Sequence, residues 1–136
     1  DVMEYFKSKD YEYYARNMRK SGNLLFRPVG LKLIANLIAK IDDNSIVNRF
    51  NMIKYIPINL YEAPYFRLLI SEQGKMYDGN EAKVRNLILS SLGLSLNKTE
   101  KSSAKSGISI IKNIPLNHVK NSDLPVTIDE LKRCKL

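Results

Sequence analysis

The chain has 136 residues, 44% of them hydrophobic, and 22 Lys and Arg stand against 14 Asp and Glu for a formal net charge of +8. That length fits one domain, or one domain with a tail, and the apolar share excludes wholesale disorder. The only cysteine is Cys134 and the only histidine His118, which excludes an internal disulfide and leaves no multi-ligand metal site of the usual Cys/His kind.

No cofactor is therefore expected. No apolar run approaches the roughly 18 residues that cross a bilayer, so no membrane partner is expected and the cytoplasm is the natural compartment. The opening Asp1-Val2-Met3-Glu4-Tyr5-Phe6 has neither a basic leader region nor a cleavage site. It reads as an internal piece of a larger protein. The excess of cations is spread along the chain, which favours a folded basic surface and polyanionic partners, nucleic acid first.

In chain order, residues 1–20 read as helix with a break near Ser8-Lys9-Asp10, where Asp10 can cap Tyr11–Arg19. Ser21-Gly22-Asn23 is a stop and Leu24-Leu25-Phe26 a short apolar stretch, closed by Arg27-Pro28. From Val29 to Ile41, the residues Leu31, Ile34, Leu37, Ile38 and Ile41 recur at helical spacing, with Lys32, Asn36 and Lys40 opposite. Leu31, Ile34, Leu37 and Ile38 are expected inside. Asp42-Asp43-Asn44-Ser45 ends that helix, and Ile46, Phe50 and Ile53 give the next one its apolar face, with Asn48 and Arg49 turned away.

Between Tyr55 and Tyr77, Pro57 and Pro64 interrupt regular structure. Phe66–Ile70 reads as a short strand or extended segment, with a turn at Glu72–Lys75. Asp78-Gly79-Asn80 is a second turn, and Asn80 is positioned to cap a helix Glu81–Leu92 that buries Val84, Leu87, Ile88 and Leu92 and stops at Gly93. The polar run Asn97–Gly107 has linker composition and is expected to be mobile. Ile108–Ile114 reads as a strand or docking segment, and Thr127 to Glu130 has capping-box spacing for a last short helix.

None of the chemically suggestive residues forms a catalytic constellation. His118 lacks the nucleophile and orienting acid that a triad needs. Asp42-Asp43 are adjacent, so they do not face each other on a helix and read as capping. Gly74-Lys75 lacks the first Gly and the Ser/Thr of a phosphate-binding loop and is a turn. Tyr11, Tyr13 and Tyr14, beside Arg16, Arg19 and Lys20, fit two readings: half-buried packing, or base stacking with the cations on phosphate. Lys32 and Lys40 likewise form either a solvated helix face or a phosphate contact.

Three stretches, taken in order, resemble a known family. They are Tyr5-Phe6 through the tyrosines into Leu25-Phe26-Arg27-Pro28-Val29-Gly30-Leu31, then Glu62-Ala63-Pro64-Tyr65-Phe66, then Gly74-Lys75-Met76 leading to Val84–Gly93. The resemblance is to the C-terminal portion of DGQHR-domain proteins, which include DndB-like proteins associated with bacterial DNA phosphorothioate modification, and it covers residues 1–95. The Asp-Gly-Gln-His-Arg motif is absent from this chain and lies in the family's N-terminal half, so no motif residue maps onto a position here. The resemblance implies a DNA-modification or defence context with DNA as partner.

The resulting expectation is a mainly α, compact helical domain over residues 1–95, with at most a small hairpin or strand pair, and a basic linker and tail over 96–136. Its expected function is non-enzymatic: DNA binding, or regulation of DNA modification, through electrostatic contact with phosphate. The residues expected to make that contact are Arg16, Arg19, Lys20, Lys32 and Lys40. The alternative is a protein-interaction module that packs on the missing N-terminal half or forms a homo-oligomer, which would expose an apolar patch. A third reading is an enzyme whose site the other half completes.

Overall fold

A computed structural model of the chain describes residues 22–41, 46–54, 56–124, 126–127 and 129–130 and, of residues 46, 47 and 50, the backbone only. Among the described residues the named elements are α1 (Pro28–Lys40), α2 (Ile46–Ile53), α3 (Glu81–Ser91) and α4 (Lys98–Lys112), with three short 3-10 turns and no strand. The domain is mainly α, as its apolar periodicity implies. The expected helix over residues 1–20, the Asp42–Ser45 boundary and the Ile46 and Phe50 side chains lie outside the described residues.

The helix α1 starts where Pro28 sits in the first turn, a position at which its missing N–H removes no bond. Its buried stripe is Gly30, Leu33, Leu37 and the cap residue Ile41. Ile34 and Ile38 are half-buried beside it, whereas Leu31 is 45% exposed. The expectation of a buried Leu31 is thereby corrected. The helix carries apolar residues round more than half its circumference, and Leu31 lies roughly 120° from Leu37 at 3.6 residues per turn. Gly30 explains the choice of face. A β-carbon there would lie 1.8 Å from the Leu24 carbonyl oxygen, so the bare backbone lets the helix close on the 3-10 turn Leu24–Phe26.

Among its described residues, the segment between α2 and α3 contains no strand. Leu24 N–H donates to Ile58 O (2.7 Å) and Leu60 N–H to Gly22 O (2.7 Å), which ties the start of the described chain to residues 58–60. Phe66–Ile70, expected as a short strand or extended segment, is a series of turns in which Leu68 and Leu69 N–H both return to the Tyr65 carbonyl. Arg67 has a left-handed φ of 72°, which breaks any extended run. Leu68, Leu69 and Ile70 are all fully buried, so this apolar run marks a plug in the core. A pleated strand would put alternate side chains on opposite faces. Tyr65, also fully buried, donates its hydroxyl to the Pro57 carbonyl.

The helix α3 is the centre of the domain, packed against both α1 and α4. Val84, Leu87 and Ile88 are fully buried as their spacing requires, Asn86, Leu89 and Ser90 are buried as well, and Leu92 is half-buried. Each such leucine or isoleucine contributes about 1.5–3 kcal/mol by leaving water. Gly93, with φ of 80°, ends the helix. Asn80 stands at the cap position, but its amide is spent elsewhere: Nδ2 donates to Leu68 O at 3.0 Å, fastening α3 to the buried turns.

The largest departure from expectation is α4. Residues 97–107 form no linker. Asn97 Oδ1 accepts from Glu100 N–H (2.8 Å) while Glu100 Oε1 accepts from Asn97 N–H (3.0 Å), a complete capping box. Ala104, Gly107, Ile108 and Ile111 form its buried face, so Ile108–Ile114, expected as a strand or docking segment, belongs largely to this helix. A β-carbon on Gly107 would lie 2.8 Å from Leu87 Cδ1 and 3.4 Å from Lys83 Cβ, which shows how closely α3 and α4 run. The expected boundary at residue 95 therefore falls inside a packed helix pair.

Candidate nucleic-acid interface

Of the residues expected to meet phosphate, Arg16, Arg19 and Lys20 lie outside the described residues. Lys32 and Lys40 are both exposed on α1. Eight residues separate them, roughly 12 Å along the axis, and Lys40 lies in the last turn, where a cation complements the helix dipole. They are accessible charges on a convex surface.

A stronger concentration of positive charge lies where none was expected. Lys98, Lys101 and Lys105 recur at three- and four-residue intervals on α4, so one helix face projects all three. They line a groove of about 680 Å³. Its opposite wall is the returning segment at Asn121 and Leu124, and its end is built by Ser90 of α3 with Leu94 and Leu96 of the connection to α4. The returning wall is anchored: Val119 and Val126 are buried, and Val126 N–H donates to Ser90 Oγ (3.2 Å). A shallower groove of about 610 Å³ adjoins it and shares Lys98 and Ser102, adding Lys83, Thr99 and Ser106.

Among the described residues, neither groove is lined by a carboxylate. The nearby acids are turned to backbone: Glu100 caps its own helix, and Asp123 Oδ2 accepts from Lys120 N–H at 2.8 Å. The charges of Lys98, Lys101 and Lys105 are thus uncompensated by ion pairs among the described residues. A concave wall bearing one sign of charge concentrates counter-ions. Chemically, such an arrangement suits anions, with the ammonium groups of Lys98, Lys101 and Lys105 and the hydroxyl of Ser102 along its lining.

The chain matches no protein-family model, no curated protein and no solved structure.

Among the described residues, nothing in the grooves resembles a nucleophile–base pair. His118 is exposed in the 3-10 turn Leu116–His118. Among the described residues no group of three or more His, Cys, Asp or Glu could hold a metal ion, and no helix is long and apolar enough to cross a membrane. The α4 lysines were missed because their segment has the composition of a linker. The Asn97-x-x-Glu100 cap spacing and the Ala104, Gly107, Ile108, Ile111 periodicity were the signals that could have found them.

Proposed function

We propose that this domain binds nucleic acid through its phosphates, as a module of a bacterial DNA-modification or defence protein in the cytoplasm. The observation that carries this reading is the groove edged by Lys98, Lys101 and Lys105, with no carboxylate among its described lining residues. The net charge of +8 supports it, and the resemblance of residues 1–95 to the C-terminal portion of DGQHR-domain proteins supplies the DNA context. The mechanism is counter-ion release: ammonium groups displace cations condensed on the phosphate backbone, which gives affinity without a sequence code. Lys32 and Lys40 extend the contact on α1, and Arg16, Arg19 and Lys20 are further candidates.

The test is a fluorescence-anisotropy titration of labelled nucleic acid, duplex and single strand, across salt concentrations. If the four cations Lys83, Lys98, Lys101 and Lys105 each neutralise one duplex phosphate, log affinity falls against log salt with a slope of about −3.6. Affinity then drops on the order of 100-fold between about 50 and 200 mM salt. Failure to bind either form at low salt rejects the reading and favours the alternative, a protein-interaction module that docks on another part of the parent protein or on a second copy.

A further inference from the structure

The main groove combines two chemistries that a double helix cannot satisfy together. Three ammonium groups edge it, while Leu94, Leu96 and Leu124 give it an apolar lining. In a duplex the base faces are already stacked on one another, so these leucines would gain nothing from it. A duplex is also stiff over about 150 base pairs, so a straight one would touch only the rim of a concavity walled by α4 and the 121–124 segment. An unpaired strand carries the same phosphates together with base faces that are exposed to water and gain by being covered.

We infer that the groove between α4 and residues 121–124 binds unpaired nucleic-acid strand in preference to duplex. This rests on the proposed nucleic-acid function and specifies its ligand. Phosphates lie along Lys98, Lys101 and Lys105, whose ammonium groups recur at roughly one-turn intervals of about 5 Å, and bases rest on the leucines. Ser90, Ser102 and Asn121 supply hydrogen bonds. Among the described residues no aromatic side chain lines the groove, so the contact follows the backbone with little regard to base identity.

The probes are a labelled oligothymidylate of roughly 12 nucleotides and a duplex of equal length, titrated against the whole chain. The expected result is at least about tenfold tighter binding of the single strand, with a salt slope of about −2.1 for three phosphates. Lys101→Gln with Lys105→Gln lowers that slope to about −0.7. Leu124→Ser, shown folded by circular dichroism, weakens the oligothymidylate severalfold and leaves the duplex unchanged, because all the cations remain. Equal or tighter binding of the duplex, or a double glutamine variant with an unaltered single-strand slope, overturns the inference while leaving nucleic-acid binding intact. Binding only to vesicles containing an anionic phospholipid overturns both.

Discussion

Two residues show how little freedom the core leaves. A methyl group on Gly30 would sit 1.8 Å from the Leu24 carbonyl oxygen, and a backbone atom cannot rotate aside as a side chain can. Gly30→Ala, although it replaces a poor helix former by the best one, is expected to cost about 3 kcal/mol or more. An unfolding free energy from urea titration within about 1 kcal/mol of the parent would show that α1 does not pack on the 3-10 turn as described. The second residue is Tyr65, whose phenol is pushed well above its usual range, first by burial and then by the charge of Glu62. In the unfolded chain that phenol ionises near pH 10, so the folded state holds a proton that the unfolded state has lost. The stability tied to this group is complete below about pH 10 and is lost as pH rises above it, by about 1.4 kcal/mol per pH unit. Tyr65→Phe should lose about 1 kcal/mol at neutral pH with the Pro57 hydrogen bond, yet show an alkaline limb flatter by that same slope. Parallel limbs in urea titrations above about pH 10 would contradict it.

At the scale of the element, what could be read from sequence depended on side-chain size. The helix α3 was legible because Val84, Leu87 and Ile88 are large and evenly spaced and Gly93 stops it. The helix α1 was legible as a helix but not in its orientation: Leu31 and Leu33 are equally apolar, and only the contact of Gly30 with Leu24 decides which of them is buried. Leu37→Ala should accordingly cost roughly 2–5 kcal/mol, and Leu31→Ala within about 0.5 kcal/mol of nothing. Equal effects of the two in chemical denaturation would reverse the assigned face. The helix α4 escaped notice because close approach to α3 demands Ala104 and Gly107, and small residues among serines and lysines look like linker. Its amides over residues 101–111 should exchange as slowly as those of α3, and Asn97→Ala, which removes the cap, should cost about 0.5–2 kcal/mol. Exchange as fast as in an open chain would restore the linker reading.

For the molecule as a whole, the mainly α class was legible and the site was not. A net charge of +8 favours an anionic partner, but charge on a chain has no location until helices place it. Lys32 and Lys40 were found because α1 was found, and Lys98, Lys101 and Lys105 were overlooked with α4. Helix α4 alone sets the latter on one face, and the fold supplies the rest of the groove, where the segment after α4 returns past Ser90 and is fastened there by Val126. The proposed nucleic-acid contact thus depends on a wall formed from residues far apart in sequence, which periodicity along one helix cannot reveal.

The most direct measurement of that account compares salt slopes for two charge-reversed pairs on the same labelled nucleic acid. Lys101→Glu with Lys105→Glu alters the groove, and Lys32→Glu with Lys40→Glu alters the convex face of α1. The account predicts that the groove pair flattens the slope by about 1.4 units on single strand or about 1.8 on duplex, for two lost phosphate contacts, and that the α1 pair changes it less. A wild-type slope in the groove pair, with the loss confined to the α1 pair, would contradict it and place the contact on α1.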